Sequence, residues 1–306
     1  MPNALIIGAG GFLGRHLTRR LLRENWSVST LRFAGRTARI ALPGENALEA
    51  AAYTADAIGA ALPDLQWDAV YLLAAAGVDP SQRSPHQLLQ ANIQLPQILI
   101  EALQGRPVSR IILTGTCSEY FPLAPGRLSE ETDAIEGADT YGASKAAGAL
   151  WAMRLALQLN VPLTHLRLFH FYGPGEAPYR LISSLFRQLN EAKPVPLSPG
   201  EQYRDLLYIE DVLDALESAP KAEPGRTYNV CSGRPVTVAE VGRTAARVLG
   251  QPEDLLRFGD LNYRPGEVMW IAGNNERFMK ASGWSPRWPL EEGLKDMRIQ
   301  QTEAPQ

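Results

Sequence analysis

The chain has 306 residues, of which 45% are hydrophobic and 21% charged, with a formal net charge of -3. That balance suits a globular protein with one large core or two modest ones, and it excludes a disordered chain. The small negative charge without a basic run argues against nucleic-acid binding, and no apolar run reaches membrane-spanning length.

In chain order, residues 4–7 form an apolar run that reads as a strand buried on both faces. Gly8, Gly11 and Gly14 then turn the chain in a G-x-x-G-x-x-G pattern, the stricter G-x-G-x-x-G being broken by Leu13. Residues 12–24 are helical in pattern, with Leu13, Leu17, Leu21 and Leu22 on one face and Arg19, Arg20 and Arg23 off it. A strand, a glycine turn and a helix N-terminus make an anion site, where orphan N–H groups and the helix dipole face a pyrophosphate. Gly8, Gly11, Phe12, Leu13 and Gly14 are therefore candidate dinucleotide-binding residues.

A second strand, 27–32, ends on Arg32, with Arg36 and Arg39 beyond it and no Asp or Glu between Val28 and Leu42. A carboxylate there would bind an adenosine ribose, whereas guanidinium groups bind a 2′-phosphate, so the reading is NADP over NAD. Residues 47–53 are expected as a strand, 54–65 as a helix, 68–76 as a strand and 86–103 as a helix. Strands at 110–114 and 161–169 follow. Alternating strands and helices mean an α/β fold: a Rossmann-type, doubly wound parallel sheet. After residue 173 prolines and short elements dominate. A strand at 203–209 is expected to return to the main sheet. Helices are expected at 180–192, 210–218, 236–249, 275–282 and 290–299, and a short strand at 227–231. The expected division is a dinucleotide-binding domain over 1–172, with a returning segment about 203–231, and a smaller C-terminal α/β substrate-binding domain within 173–306. Trp270, Trp284 and Trp288 are read as core of that smaller part.

Two segments carry candidate chemistry. Thr116 ends a strand of the parallel sheet, where ligands bind. Tyr141 and Lys145, four apart, share a helix face, and an ammonium beside a phenol lowers its pKa toward a usable range. Cys117 and Cys231 are the two cysteines, far apart, and with four histidines they give no disulfide framework or metal-ligand spacing. Cys117 reads as a packing residue, and His165 as a satisfied core histidine. No secretory leader is apparent at the N-terminus, so the expected setting is cytoplasmic, with no membrane, nucleic-acid or metal partner.

Together the glycine turn, the Thr116 segment and Tyr141-Gly142-Ala143-Ser144-Lys145 resemble the extended short-chain dehydrogenase/reductase family, in its nucleotide-sugar epimerase, dehydratase and reductase branch. Val70 to Ala75 is similar to its fourth-strand motif, with Leu72 where histidine is usual, and Asn92 matches its helix asparagine. Arg167 to Gly175 is similar to its sixth-strand motif, with His170 in place of asparagine. Arg204 to Val212 and Arg264 to Glu267 resemble its two late motifs.

The resemblance implies that Thr116 hydrogen-bonds the substrate oxygen, Tyr141 exchanges the proton, and Lys145 holds the nicotinamide ribose and polarises Tyr141. It adds Leu73, Ala74, Ala75 and Asn92 to the cofactor site. Cys117, Ser118, His170, Arg180, Arg204 and Arg264 join Thr116 in the substrate site, with Arg204 and Arg264 gripping a nucleotide diphosphate.

Family dehydratases carry Asp-Glu after the threonine. Here Cys117 and Ser118 stand there, and Glu119 should point the other way, which disfavours elimination. The implied function is NADPH-dependent reduction of a nucleotide diphosphate-linked 4-keto-6-deoxyhexose, with an NAD(P)-dependent epimerase as the alternative. A non-catalytic NADP-binding regulator is a third reading. A homodimer is expected through helices 86–103 and 142–159, where Leu150, Trp151, Leu155 and Leu159 exceed one core face.

Overall fold

A computed structural model describes residues 1–35, 41–79 and 83–303, with side chains to Gln300. Arg36 and Arg39 lie outside the described residues. The first half runs β1 (Asn3–Ile7), α1 (Phe12–Arg23), β2 (Ser27–Phe33), β3 (Asn46–Ala50), α2 (Ala55–Ala61), β4 (Ala69–Leu72), α3 (Pro85–Leu88), a π-helical turn (Leu89–Gln94), α4 (Leu95–Leu103), β5 (Ile111–Thr116), a 3-10 turn (Cys117–Glu119), α5 (Thr140–Gln158) and β6 (Leu163–Leu168). There follow β7 (His170–Tyr172), α6 (Leu181–Asn190), β8 (Val195–Leu197), β9 (Tyr203–Arg204), β10 (Leu206–Tyr208), α7 (Ile209–Ser218), β11 (Thr227–Val230), β12 (Val236–Thr237), α8 (Val238–Leu249), β13 (Leu256–Phe258), β14 (Trp270–Ile271), α9 (Glu276–Ser282) and α10 (Leu290–Glu303).

Seven strands form one parallel sheet in the order β11-β6-β5-β4-β1-β2-β3. The chain goes outward from β1 to β3, then crosses to β4, so the strand order reverses between β1 and β4. Such a switch point opens a crevice at the carboxyl ends of the strands. Alternation along β1 explains the two covering layers. Ala4 and Ile6 face a core with Leu17 and Leu21 of α1 that continues through α7 to α6, α8 and α10. Leu5 and Ile7 face a second core built on Leu95, Leu99, Ala152 and Ala156 of α4 and α5.

The region 203–209 is not one strand of the main sheet. Leu206–Tyr208 pairs with β7, and Tyr203–Arg204 pairs with β12 and β14; the strand that joins the main sheet is β11, beside β6. The span 86–103 is also not one regular helix. Pro96 lacks an N–H and its ring would clash with the carbonyl four residues back, at Asn92, so the helix widens into the π turn just before it. That carbonyl lies against α5 at Gly148, where a Cβ would come within 1.8 Å of it. Only a bare α-carbon allows this approach. Gly148→Ala is expected to cost about 1–3 kcal/mol by overpacking, read as a lower thermal midpoint.

Candidate active site

The glycine turn is organised by close backbone packing. Gly8 has φ +99°, and a Cβ on it would sit 2.5 Å from the Ala74 nitrogen; one on Gly14 would sit 2.2 Å from the Gly8 carbonyl oxygen. These two glycines are required by the chain itself. A Cβ on Gly11 would meet only the Gly8 oxygen at 3.4 Å, so packing does not demand glycine there. Gly11 is the N-cap of α1 with no side-chain cap, and the first turn holds no acidic residue. The orphan N–H groups of Phe12 and Leu13 are therefore left for an anion, and a bare Gly11 lets it approach. The turn fits a dinucleotide pyrophosphate. The Leu73 and Ala74 nitrogens both donate to the Ile7 carbonyl, which brings the Leu73–Ala74–Ala75 segment beside the glycine turn.

Arg32 is half-exposed at the end of β2, and its Nη2 lies 2.7 Å from Glu49 of β3. A sequence window ending at Leu42 misses that carboxylate, because parallel pairing of β2 with β3 puts Glu49 opposite Arg32. Asn92 is buried. Its amide bonds the Ala76 nitrogen at 2.9 Å, the Ala76 carbonyl at 3.1 Å and the Ser144 hydroxyl at 2.9 Å. It therefore braces the loop after β4 against α5 and presents no free group of its own.

Thr116 ends β5 and caps the 3-10 turn. Its hydroxyl accepts from the Ser118 nitrogen at 3.2 Å, while its own nitrogen donates to Glu119 Oε1 at 2.9 Å. Asp139 caps α5 by accepting from the Gly142 nitrogen at 2.8 Å, which sets Tyr141 in the first turn. The Lys145 ammonium donates to the Thr114 carbonyl at 2.6 Å. The expected depression of the Tyr141 pKa is not found. Burial pushes the phenol up to about 12, with Cys117 and Glu119 adding to the rise, while a hydrogen bond with Thr116 and the charge of Arg180 oppose it. Lys145 acts on the β5 backbone, one turn below the phenol, and burial lowers its own pKa.

Beneath Thr116 lies a buried charge set that sequence reading missed. Glu119 is 0% exposed, and its Oε2 accepts from Arg167 Nε at 2.8 Å. His165 Nε2 is 3.4 Å from Oε1, without the alignment of a hydrogen bond. Burial works to raise the Glu119 carboxyl, but His165 and Arg167 outweigh it and hold it at about 2. Glu119 thus points inward, away from any substrate, as its place in the sequence suggested. The signal that could have found the pair is Glu119 in the turn just after β5 with Arg167 on the adjacent β6. Burial pushes the Cys117 thiol up to about 12, which suits a packing residue.

Two cavities meet beside this site. One, of about 290 Å3, is lined by Leu181, Pro196, Leu197, Gln202, Val238 and Tyr263 among others. The second, of about 240 Å3, is lined by Cys117, Ser118, Phe121, Leu123, Phe169 and Ile271 among others. Trp270 lines it too, so this tryptophan is wall and not core, whereas Trp284 is buried. His170, Arg204, Arg264 and Glu267 line both cavities. Arg204 is ion-paired with Glu267 and donates to the Val268 carbonyl at 2.9 Å. Burial, then Arg204 and Arg180, push the His170 imidazole down to about 3, so it is neutral. Arg180 and the buried Glu176 line the first cavity; burial pushes Glu176 up to about 7 against the opposing pull of Arg180 and Ser183. Among the described residues there is no cluster that could hold a metal ion, and no helix long and apolar enough to cross a membrane.

The pKa of Glu119 carries a stability prediction. A carboxyl held below its ordinary value of 4.5 contributes stability that is full above that value and is lost as pH falls toward about 2. Denaturant titration should find Glu119→Gln less stable than the parent by about 3 kcal/mol at pH 7. The gap should close progressively below about pH 4.5.

The chain matches the model of the NAD dependent epimerase/dehydratase family over residues 4–231. It is 25% identical over 312 residues to the low-salt glycan biosynthesis protein Agl12 of Haloferax volcanii, covering 96% of each chain. It is 27% identical over 343 residues to dTDP-L-rhamnose 4-epimerase of Burkholderia thailandensis, covering 96% of this chain and 93% of the relative. Among solved structures, a putative epimerase of Burkholderia cenocepacia superposes with TM-score 0.85 at 29% identity over 99% of both chains. MoeE5 in complex with UDP-glucuronic acid and NAD gives 0.82 at 26% over 98% of both. With the family model matched over residues 4–231 and a matching fold, this chain belongs to the NAD dependent epimerase/dehydratase family, within the extended short-chain dehydrogenase/reductases.

Proposed function

We propose that this protein reduces a nucleotide diphosphate-linked 4-keto-6-deoxyhexose with NADPH. The observation that carries the reading is the pair of cavities joined at His170, Arg204, Arg264 and Glu267. In this reading the first cavity takes the nucleoside and the shared arginines take the diphosphate, since guanidinium forks match phosphate oxygens. The hexose enters the second cavity, next to Cys117 and Ser118. Phe121, Leu123, Phe169 and Ile271 give this mixed cavity apolar surface on which a C6 methyl group could pack.

When bound, the nicotinamide supplies the hydride. Tyr141 gives its phenolic proton to the carbonyl oxygen while Thr116 donates a hydrogen bond to the same atom. Lys145 has one donor on Thr114 and two left for the ribose hydroxyls. Elimination is disfavoured because the carboxylates lining the second cavity are already engaged: Asp139 with Arg83, and Glu267 with Arg204. NADP selectivity is assigned to Arg32, which would exchange Glu49 for a 2′-phosphate.

A second reading, an epimerase recycling NAD, is favoured by the similarity to dTDP-L-rhamnose 4-epimerase and to the NAD complex of MoeE5. Self-association is proposed through α5, where Leu150, Trp151 and Leu157 are exposed at 66%, 52% and 66%. Leu155 and Leu159 of the expected face pack inward instead.

The test is a panel of cytidine-, thymidine-, uridine- and guanosine-diphosphate keto-sugars followed by NADPH absorbance and product NMR. Stoichiometric NADPH loss is expected; product inversion without loss establishes the epimerase. Tyr141→Phe should lower kcat by about 10²–10⁴-fold. Arg204→Ala and Arg264→Ala should each raise KM, and nucleotide-sugar affinity unchanged in both removes the diphosphate clamp. Arg32→Asp should weaken NADPH binding far more than NADH binding in calorimetric titration. For the assembly, sedimentation should give a dimer that Trp151→Glu converts to monomer.

A further inference from the structure

Tyr141 needs stabilisation of its phenolate as its proton leaves, yet burial opposes that charge, and the Lys145 ammonium, one helical turn away, sits with one donor on the Thr114 carbonyl and not on the phenol ring. A different cation lies on the ring. Arg83, in the loop after β4, places its guanidinium carbon 5.5 Å from the centre of the Tyr141 ring. Its Nε donates to the Gly77 carbonyl at 3.1 Å, and its other arm pairs with Asp139, the residue that caps α5. Gly77 has φ +80°, and a Cβ there would fall 3.3 Å from Tyr141 Cδ2 and 3.4 Å from Arg83 Cγ. Both side chains therefore pack over one bare α-carbon, and the guanidinium is tethered at both ends.

We infer that Arg83 is a positioning residue for Tyr141, fixing its ring and stabilising the phenolate through the ring face. A cation over a phenol ring is attracted by the ring's electrons, and more strongly once the oxygen is ionised. No bond to Arg83 forms or breaks: the Tyr141 proton goes to the substrate oxygen and the remaining negative charge is shared across the ring. The inference rests on Tyr141 being the proton-exchanging residue.

The groups facing Tyr141 set the balance. From β5 and the 3-10 turn, Cys117 and Glu119 disfavour the phenolate, while the Thr116 hydroxyl favours it. Arg180, before α6, favours it. From its own helix, Lys145 lies buried on Thr114. Asp139 partly neutralises Arg83, whose side chain is 24% exposed, so water and the carboxylate keep the effect modest.

The test replaces Tyr141 with 3,5-difluorotyrosine and follows its ionisation by fluorine NMR in the full-length protein without substrate. This readout works whether or not the keto-sugar reading holds. Arg83→Gln should move the titration midpoint up by about half a pH unit to one and a half. Arg83→Lys should recover most of that shift, and Asp139→Asn, which removes the counter-charge, should move the midpoint down. If Arg83→Gln does not fold, Arg83→Lys and Asp139→Asn still decide the matter: a midpoint near the parent's in the first and a lower one in the second is expected, and no movement in Asp139→Asn overturns the inference. A midpoint unchanged in all folded variants, with only thermal stability lowered, overturns the inference and leaves Arg83 a structural brace.

Discussion

A buried carboxylate is the constraint on which the site depends. Glu119 has lost its water entirely, and an unpaired charge in that position would be untenable. Arg167 and the Thr116 nitrogen replace the lost hydration, at 2.8 and 2.9 Å. Each bond also joins two pieces of chain: the end of β5 to its following turn, and that turn to β6. The Arg167 guanidinium further lies 4.5 Å from the Tyr120 ring, and the Tyr120 hydroxyl donates to Asn229 of β11 at 2.6 Å. Three neighbouring strands are tied together under the residue that would meet the substrate. Thr116 is anchored by this scaffold through its own backbone nitrogen.

Helix α5 is held in place at three points along its length. Its capping Asp139 reaches Arg83, its Ser144 reaches Asn92, and Gly148 meets the π turn. The irregular turn and the brace are linked: proline forces the helix to widen, and the widened turn carries Asn92 to the loop after β4. That loop in turn packs on the glycine turn of β1. The crevice at the strand reversal and the Tyr141 helix therefore form one continuous structure.

Electrostatics separates the two ends of the site. Around Thr116 the charges of Glu119 and Arg167 are buried and internally paired, and burial keeps the Tyr141 phenol and the cavity-lining Cys117 thiol neutral. At the junction of the cavities Arg204 and Arg264 line the space beside His170, whose imidazole is kept neutral by burial and then by the charges of Arg204 and Arg180. A polyanionic substrate would be drawn to the second region and held with its uncharged end at the first.

Local signals were sufficient for the parallel α/β sheet, the glycine turn, the place of Thr116 at a strand end and that of Tyr141 and Lys145 on one helix. Each depends on strand alternation, helix spacing or a bare α-carbon, and these repeat over a few residues. What required the tertiary structure lies between distant segments. Glu49 answers Arg32 only because β3 pairs with β2, and Glu119 finds Arg167 only because β6 lies beside β5. The split of 203–209 among three partners, the widening at Pro96 and the facing of Trp270 into a cavity are likewise set by neighbours, not by local propensity. The sign of the Tyr141 shift was decided in the same way: spacing places a lysine one helical turn from the phenol, but burial and the Thr114 carbonyl determine where its charge acts.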